Sequence, residues 1–560
     1  MNTESPHLVQ YSTALGVLAF AFYVVPYLLD PYDYRRRFPG PPLAGLTNWW
    51  MSNIARAGRH SEAVKQLHER YGTFVRLGPN HISIADPDAL EIVYGHGSGV
   101  LKSEFYRIFQ NGSSTDVFNT SDKVEHSSKW LKYIDEGTTH RTLSLSSPVC
   151  EEAARGVSGV NWVSSDGKAV MNVCAQFSYL AFDIIGDLAL GSPFGLIQAQ
   201  KDSSLSIESV DASGEPVRGT VEVPVVKTIA NLGVTIMSVG VFPVWTHKLL
   251  QLLPWNISGV AHRINLFKLA TTSVDARIRR GPTKNSEDGK RSIDLIDKLL
   301  EARNEDGNPL SVNELYAEAL LLLIAGSDTT SKWVVSLRVS SFGLLIMWLS
   351  TSTLSSLCYH LAIHPEVQQE LHAELDQHIP YDSSDEADIK EGLAVPPYDA
   401  IVLYDDIKNL PYLNACVKEA LRIHSTVGTG LPRVVPPGKT ITVAGQTFKA
   451  GSVISVPSYT TNRSSVWGDD AGEFRPRRWL EDDAGPLNKY FVPFSMGPRA
   501  CIGRNLAYMD LMLIVATLFR RYHVEALPTT KMITHETFVR EAAHCEVAIH
   551  RRTIPAHNVT

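Results

Sequence analysis

One cysteine stands out by its neighbours. Phe494-Ser495-Met496-Gly497-Pro498-Arg499-Ala500-Cys501-Ile502-Gly503 reads F-x-x-G-x-R-x-C-x-G and runs into a helical pattern from Arg504. A metal-binding thiolate needs its charge stabilised, and backbone N–H groups beside a helix N-terminus do that. Gly497 and Gly503 let the backbone approach a flat ligand. Arg499 is spaced to reach an anionic group on that ligand. A lone cysteine is usually an inert buried residue. Five matched positions in ten argue against that here.

The elements that must hold this loop are mostly helical. Helical spacing covers residues 61–71, ending at Gly72, and 177–190, stopped by Gly191. It also covers a strongly apolar stretch at 313–330, then 365–377 with Pro365 at N1, then 407–423 and 504–522. Residues 74–77 and 81–84 flank Gly78-Pro79-Asn80, a hairpin signal. Short strands are expected at 439–443, 446–449 and 453–456, and surface loops at 201–219, 281–291 and 381–398. The expectation is a mainly α fold with a minor β portion and no internal repeat.

The Cys501 segment resembles the haem-binding loop of the cytochrome P450 family. Three more motifs agree in order. Glu419-Ala-Leu-Arg422 matches its E-x-x-R helix, a weak signal alone because Glu and Arg at i, i+3 commonly pair on exposed helices. Pro476-Arg477-Arg478-Trp479 matches a later P-E-R-F/W element, with Arg477 where Glu is usual. Ala325-Gly326-Ser327-Asp328-Thr329-Thr330 matches the A-G-x-D/E-T-T of the long helix over the distal haem face. Residues 94–103 (YGHGSGVLKS), 180–187 (LAFDIIGD), Gly430-Leu-Pro-Arg433 and Val456-Pro-Ser-Tyr459 look like fungal benzoate para-hydroxylases (benzoate 4-monooxygenases) and their relatives.

The resemblance implies a cytochrome P450 fold with haem b between the distal helix and the Cys loop. It implies a monooxygenase that inserts one atom of dioxygen into a small aromatic substrate, with ring hydroxylation of a benzoate-type acid as the first expectation. Cys501 would be the iron ligand and would push electron density to favour O–O cleavage. Arg478 would complete a buried cluster with Glu419 and Arg422. Arg499 and Arg433 would pair haem propionates, Phe494 would pack on the thiolate side, and Gly326 would leave a notch beside dioxygen. Asp328 and Thr329 would deliver protons, a polar helix terminus being the alternative. No G-x-G-x-x-G follows a strand, so electrons from NADPH would come through a separate membrane-bound cytochrome P450 reductase. The alternatives are oxidation of another aromatic or secondary-metabolite scaffold, or an inactive haem-binding paralogue. The acid and alcohol at 328 and 329 argue for an enzyme.

Length and composition are compatible with this. The chain has 560 residues, 44% apolar and 20% charged, which excludes wholesale disorder. A net charge of −7 without a long basic run argues against nucleic acid as a partner. Cys150, Cys174, Cys358, Cys416, Cys501 and Cys545 form no C-x-x-C pair, which argues against a disulfide scaffold or structural zinc and for a reducing compartment.

Residues 8–29, LVQYSTALGVLAFAFYVVPYLL, carry no charge. At about 1.5 Å per residue they span roughly 33 Å, enough for a bilayer core. Arg35, Arg36 and Arg37 follow, so the basic side and everything after it should face the cytosol. The expectation is a membrane anchor over 1–30, a Pro/Gly hinge over 31–42 and a haem-thiolate catalytic domain over 43–560, held in the endoplasmic reticulum lipid. A cleaved signal peptide is the alternative. The absence of a basic n-region and the length of the run argue against it. A transporter would need several spans, and the only other long apolar stretch, 333–351, contains Arg338.

Two segments break the resemblance. After Ser331 the expected helix resumes only at Ser352, and 332–351 carries two tryptophans and no acid. A buried helix turns about 100° per residue and does not absorb twenty more without changing its packing face. The second segment, 129–160, follows His126, where a basic propionate-facing turn belongs. Both open on Ser-Lys-Trp, at 128–130 and 331–333. That tripeptide can be encoded by AGT-AAG-TGG, which contains GTAAGT, the consensus start of a eukaryotic intron. Segment 332–351 is therefore read as translated intron and 129–160 as a similar gene-model error, genuine insertions being the alternative.

Overall fold

The computed structural model describes residues 6–110, 118–123, 168–190, 194–210, 216–280, 309, 311–313, 315–316, 347–379, 402–482, 484–501 and 504–552. Its helices in chain order are α1 (Pro6–Leu29), α2 (Trp49–Arg56), α3 (His60–Tyr71), α4 (Ala89–Tyr94), α5 (Val173–Leu190) and α6 (Val225–Gly240). They continue with α7 (Pro254–Arg280), α8 (Met347–Ile363), α9 (Pro365–His378), α10 (Pro411–His424) and α11 (Arg504–Arg521).

The main core lies among α5, α8, α9, α10 and α11. Leu413, Val417 and Leu421 recur at helical spacing on α10 and are fully buried. Each such side chain contributes about 1.5–3 kcal/mol by leaving water. The expected 407–423 helix is two pieces, a short turn Tyr404–Ile407 and then α10, because Pro411 takes the N1 position and starts a new helix. Ser425 ends α10 in the left-handed conformation, with φ 48°.

A five-stranded sheet flanks this core. It contains β1 (Phe74–Arg76), β2 (His81–Ile84), β3 (Leu101–Lys102), β7 (Arg433–Val434) and β10 (Val453–Ser455), in the order β1-β2-β10-β7-β3. β3 and β7 are antiparallel and set Lys102 directly opposite Arg433. β4 (Lys168–Asn172) joins β11 (Tyr522–Glu525) and β14 (Glu546–Arg551) in a second sheet. β5 (Ser204–Val210) pairs with β6 (Pro216–Val223), so the expected loop over 201–219 is largely a hairpin. Its polar composition conceals the Leu205, Ile207 alternation of the first strand. β8 (Ile441–Val443) pairs with β9 (Gln446–Phe448) across an Ala444-Gly445 turn, and β12 (Ile533–Glu536) pairs with β13 (Arg540–His544).

α1 covers the expected anchor and shows Val17, Leu18, Phe20 and Leu28 to the outside. The side chains of 6–9, 12, 15 and 19 lie outside the description, and among the described residues no helix is long and apolar enough to cross a membrane. The 31–42 segment docks on the first sheet. Phe38 stacks on Phe448 at 5.6 Å, the Arg76 N–H donates to the Pro39 carbonyl, and Gly40 sits where a Cβ would meet the Arg76 carbonyl oxygen at 2.2 Å.

Candidate functional site

The Cys501 loop is held from both sides. The Cys501 N–H donates to the Phe494 carbonyl at 2.8 Å, closing the loop on itself. Phe494 is buried against Tyr508 of α11, with ring centroids 5.5 Å apart, so the loop rests on the main core. Gly497 has φ 67°, and a Cβ there would meet the Tyr94 carbonyl oxygen at 2.3 Å. Only glycine allows this left-handed turn to press against the end of α4. Tyr94 in turn uses its hydroxyl to accept from the Leu431 and Val456 N–H groups at 3.0 and 2.9 Å, tying α4 to the first sheet. Burial pushes the Tyr94 phenol up to about 12, so it stays neutral.

The segment before the loop is fixed by a buried charge cluster. Glu419 on α10 accepts from Arg422 Nε and Nη2 at 2.9 and 2.8 Å. It also accepts from Arg478 Nε and Trp479 Nε1, each at 2.9 Å. Glu419 and both arginines are at most 1% exposed. Removing one partner from such a cluster costs roughly 3–5 kcal/mol, because the remaining charge stays buried. Trp479 packs on Phe491 at 4.8 Å, which carries this rigidity toward the Cys loop. Arg477, the odd residue of the motif, points outward and pairs with Glu370 of α9 at 2.6 Å. The position takes no part in the buried cluster, so the usual residue can be replaced there.

Cys501, Phe494, Arg499 and Arg433 line one small gap, as expected of residues that act on one ligand. Arg433 is 3% exposed and donates to the Tyr106 hydroxyl at 2.8 Å. Arg499 donates to the carbonyls of Thr120 and Asp122 at 3.2 and 3.3 Å. Gly326, Asp328, Thr329 and Gly503, with all of 129–160 and most of 332–351, lie outside the described residues.

Lys102 joins the same gap and was not foreseen. It is 4% exposed, donates from Nζ to the Phe118 carbonyl, and lies over the Tyr106 and Phe118 rings. Nothing local in the sequence marks it. Only the β3–β7 register brings it beside Arg433. The donor set for such a ligand is thus one sulfur and two arginines around a glycine turn, with Lys102 beside them. That is the chemistry a flat, dicarboxylate metal ligand requires.

A second cavity, of about 500 Å³, opens between the first sheet, α2, the end of α6 and the β12–β13 turn. Phe105, Phe242 and Phe538 are in its wall. The hairpin that carries Phe538 is pinned by Glu536, which accepts from the Ser61 N–H at 2.5 Å and from the Ser61 hydroxyl. Burial pushes the Glu536 carboxyl up to about 7, with Arg540 working against and Glu62 with that shift. The folded state therefore holds this proton more tightly than the unfolded chain does. The resulting stability is fully present below pH 4.5 and lost as pH rises through 7. The span is worth roughly 3 kcal/mol. Glu536→Gln keeps an acceptor for Ser61 without the titration. The variant should gain stability relative to the parent from pH 5 to pH 8, read as unfolding midpoints. Parallel pH profiles for the two proteins would refute this.

The cytochrome P450 family model matches residues 39–336 and 350–546, running through 129–160 and passing over 337–349. The chain is 35% identical to benzoate 4-monooxygenase bphA of Aspergillus niger, over 97% of this chain and 98% of that one. It is 28% identical to a cytochrome P450 monooxygenase of Aspergillus flavus, over 96% of each. It is 26% identical to pisatin demethylase of Fusarium vanettenii, over 88% of this chain and 86% of that one.

Proposed function

The chain belongs to the cytochrome P450 family and is a monooxygenase, and on that premise we propose that Cys501 ligates its haem iron and that its substrate is a benzoate-type aromatic acid, hydroxylated on the ring. The observation that carries the reading of the site is the convergence of Cys501, Phe494, Arg433 and Arg499 on one gap. When bound, thiolate-ligated haem supplies the chemistry of O–O cleavage, one oxygen atom entering a C–H bond and the other leaving as water.

The chain's own groups do the rest. Phe494 and the Cys501 N–H hold the sulfur in place. Arg433 and Arg499 take the haem carboxylates through charge-assisted hydrogen bonds. Asp328 and the Thr329 hydroxyl pass protons into a site that otherwise excludes water. Electrons come from NADPH through a separate reductase.

The substrate reading is supported by the likeness to benzoate 4-monooxygenase bphA and by the aromatic cavity wall. The test is spectral titration of the purified holoenzyme, made without residues 332–351, with a panel of aromatic acids, followed by turnover with a competent reductase. Binding and para-hydroxylation of benzoate are expected. No turnover of benzoate by enzyme that carries intact haem would refute it. A second reading, oxidation of a larger aromatic or secondary-metabolite scaffold, is favoured by the room in a cavity of about 500 Å³. The same panel extended to phenolic scaffolds decides between them.

The protein is held at the endoplasmic reticulum membrane with its catalytic body in the cytosol. α1 and the Arg35–Arg36–Arg37 flank support this. So do the exposed Trp245, Leu249, Leu252 and Trp255, with Phe22 of α1 in edge contact with Trp245 at 5.6 Å. Removing residues 1–30 should release most of the protein from microsomes. Protection of the body from protease in sealed microsomes would show the topology to be wrong. Segment 332–351 is no part of the working enzyme, which the unmatched 337–349 supports.

A further inference from the structure

The cavity of about 500 Å³ is lined by both aromatic and polar residues. Phe105 and Phe538 stack at 6.2 Å and 21°, and Phe242 completes a set of faces suited to an aromatic ring. Two consecutive residues, Lys102 and Ser103, belong to its polar lining. Lys102 lines both this cavity and the gap beside Cys501, whereas Arg433 and Arg499 line the gap alone. Two arginines suffice for two haem carboxylates, and the lysine is the cation that also faces the larger space. Its ammonium is held in place by the Phe118 carbonyl and by two aromatic faces, 4.8 and 4.6 Å away.

Ser103 adds an independent observation. It is 6% exposed, and its Oγ has no hydrogen-bond partner among the described residues. A buried hydroxyl without a partner is costly, and a ligand that brings an acceptor removes the cost. A carboxylate has two acceptor oxygens, so it matches one ammonium and one hydroxyl. His60, pushed down to about 4 by burial, is neutral at neutral pH and lines the same cavity, as do Glu104 and Arg107.

We infer that Lys102 and Ser103 together receive the carboxylate of the substrate, with its ring against Phe105 and Phe538. This rests on the aromatic-acid reading above. Lys102 supplies the charge and Ser103 the second donor, so the pair selects acids over their esters.

The test compares spectral binding of benzoate and methyl benzoate by the holoenzyme, its Lys102→Met, Lys102→Arg and Ser103→Ala variants, with haem content measured for each. Lys102→Met should weaken benzoate by about 100-fold and Ser103→Ala by about 10-fold, as expected for losing a charged and a neutral donor. Lys102→Arg should retain most of the affinity, and methyl benzoate should change by no more than about threefold in any variant. Haem content should stay full. Unchanged benzoate affinity in Lys102→Met and Ser103→Ala would overturn the inference while leaving the substrate reading intact. Loss of haem from Lys102→Met would also overturn it, assigning the lysine to the cofactor. A parent enzyme that binds no aromatic acid would refute the substrate reading and this inference with it.

Discussion

Cys501→Ser is expected to abolish the reduced carbon-monoxide signature of thiolate-ligated haem and all measurable turnover. Serine is nearly isosteric, and Cys501 is 8% exposed at the edge of a well-packed core, so the fold should survive. What changes is the donor atom. A hydroxyl oxygen is a hard, weakly acidic ligand that supplies no comparable push toward O–O cleavage. Thr329→Ala provides the contrast. It should leave the thiolate signature in place and instead waste electrons, with NADPH consumed and product yield falling about 10²-fold, the size typical of losing a positioned proton donor. The two variants separate ligation from proton delivery. A thiolate signature that persists in Cys501→Ser would sink the ligand assignment. Unchanged coupling in Thr329→Ala would sink the proton role alone.

Residues that act through short contiguous motifs were legible. The Cys501 loop, the Glu419–Arg422 pair and Arg478 each stand out within ten residues, and the buried cluster among Glu419, Arg422 and Arg478 is the one the resemblance implied. Residues whose meaning depends on pairing across the chain were not. Lys102 and Ser103 matter because β3 docks on β7, which brings Tyr106 to Arg433 from 327 residues away. Phe538 matters because a hairpin near the C-terminal end reaches back over α3 through Glu536. Local periodicity carries no trace of such register. It misleads, too, where propensity and composition disagree, as at β5–β6, whose polar residues read as loop. At Pro411 a proline that opens one helix was smoothed into the interior of a longer one.

The second large effect concerns residues 332–351. The enzyme made without them, Ser331 joined to Ser352, should bind haem fully and turn over, whereas the chain carrying them should show little or no activity. The reasoning starts from packing. From Thr351 onward α8 is buried on nearly every side, with Thr353, Ser356, Leu357 and Leu361 fully enclosed and the Thr353 hydroxyl 3.4 Å from that of Thr426. Such a helix has one rotational setting, since each residue advances it by about 100°. The Ala325 to Thr330 motif can be presented to the haem only if the chain joins it to this setting in phase. The family model breaks off at 336 and resumes at 350, within one or two residues of where α8 becomes buried. Residues 337–349, which the family model passes over, lie between the residues proposed to deliver protons and the buried part of α8, and so set that phase arbitrarily. Sequencing the mature transcript decides whether the segment is translated intron: a main message that lacks these codons is expected, and the same reads cover 129–160. A message that retains 332–351 as its principal form, or full activity in the chain that carries them, would exclude this reading and make the segment a genuine insertion.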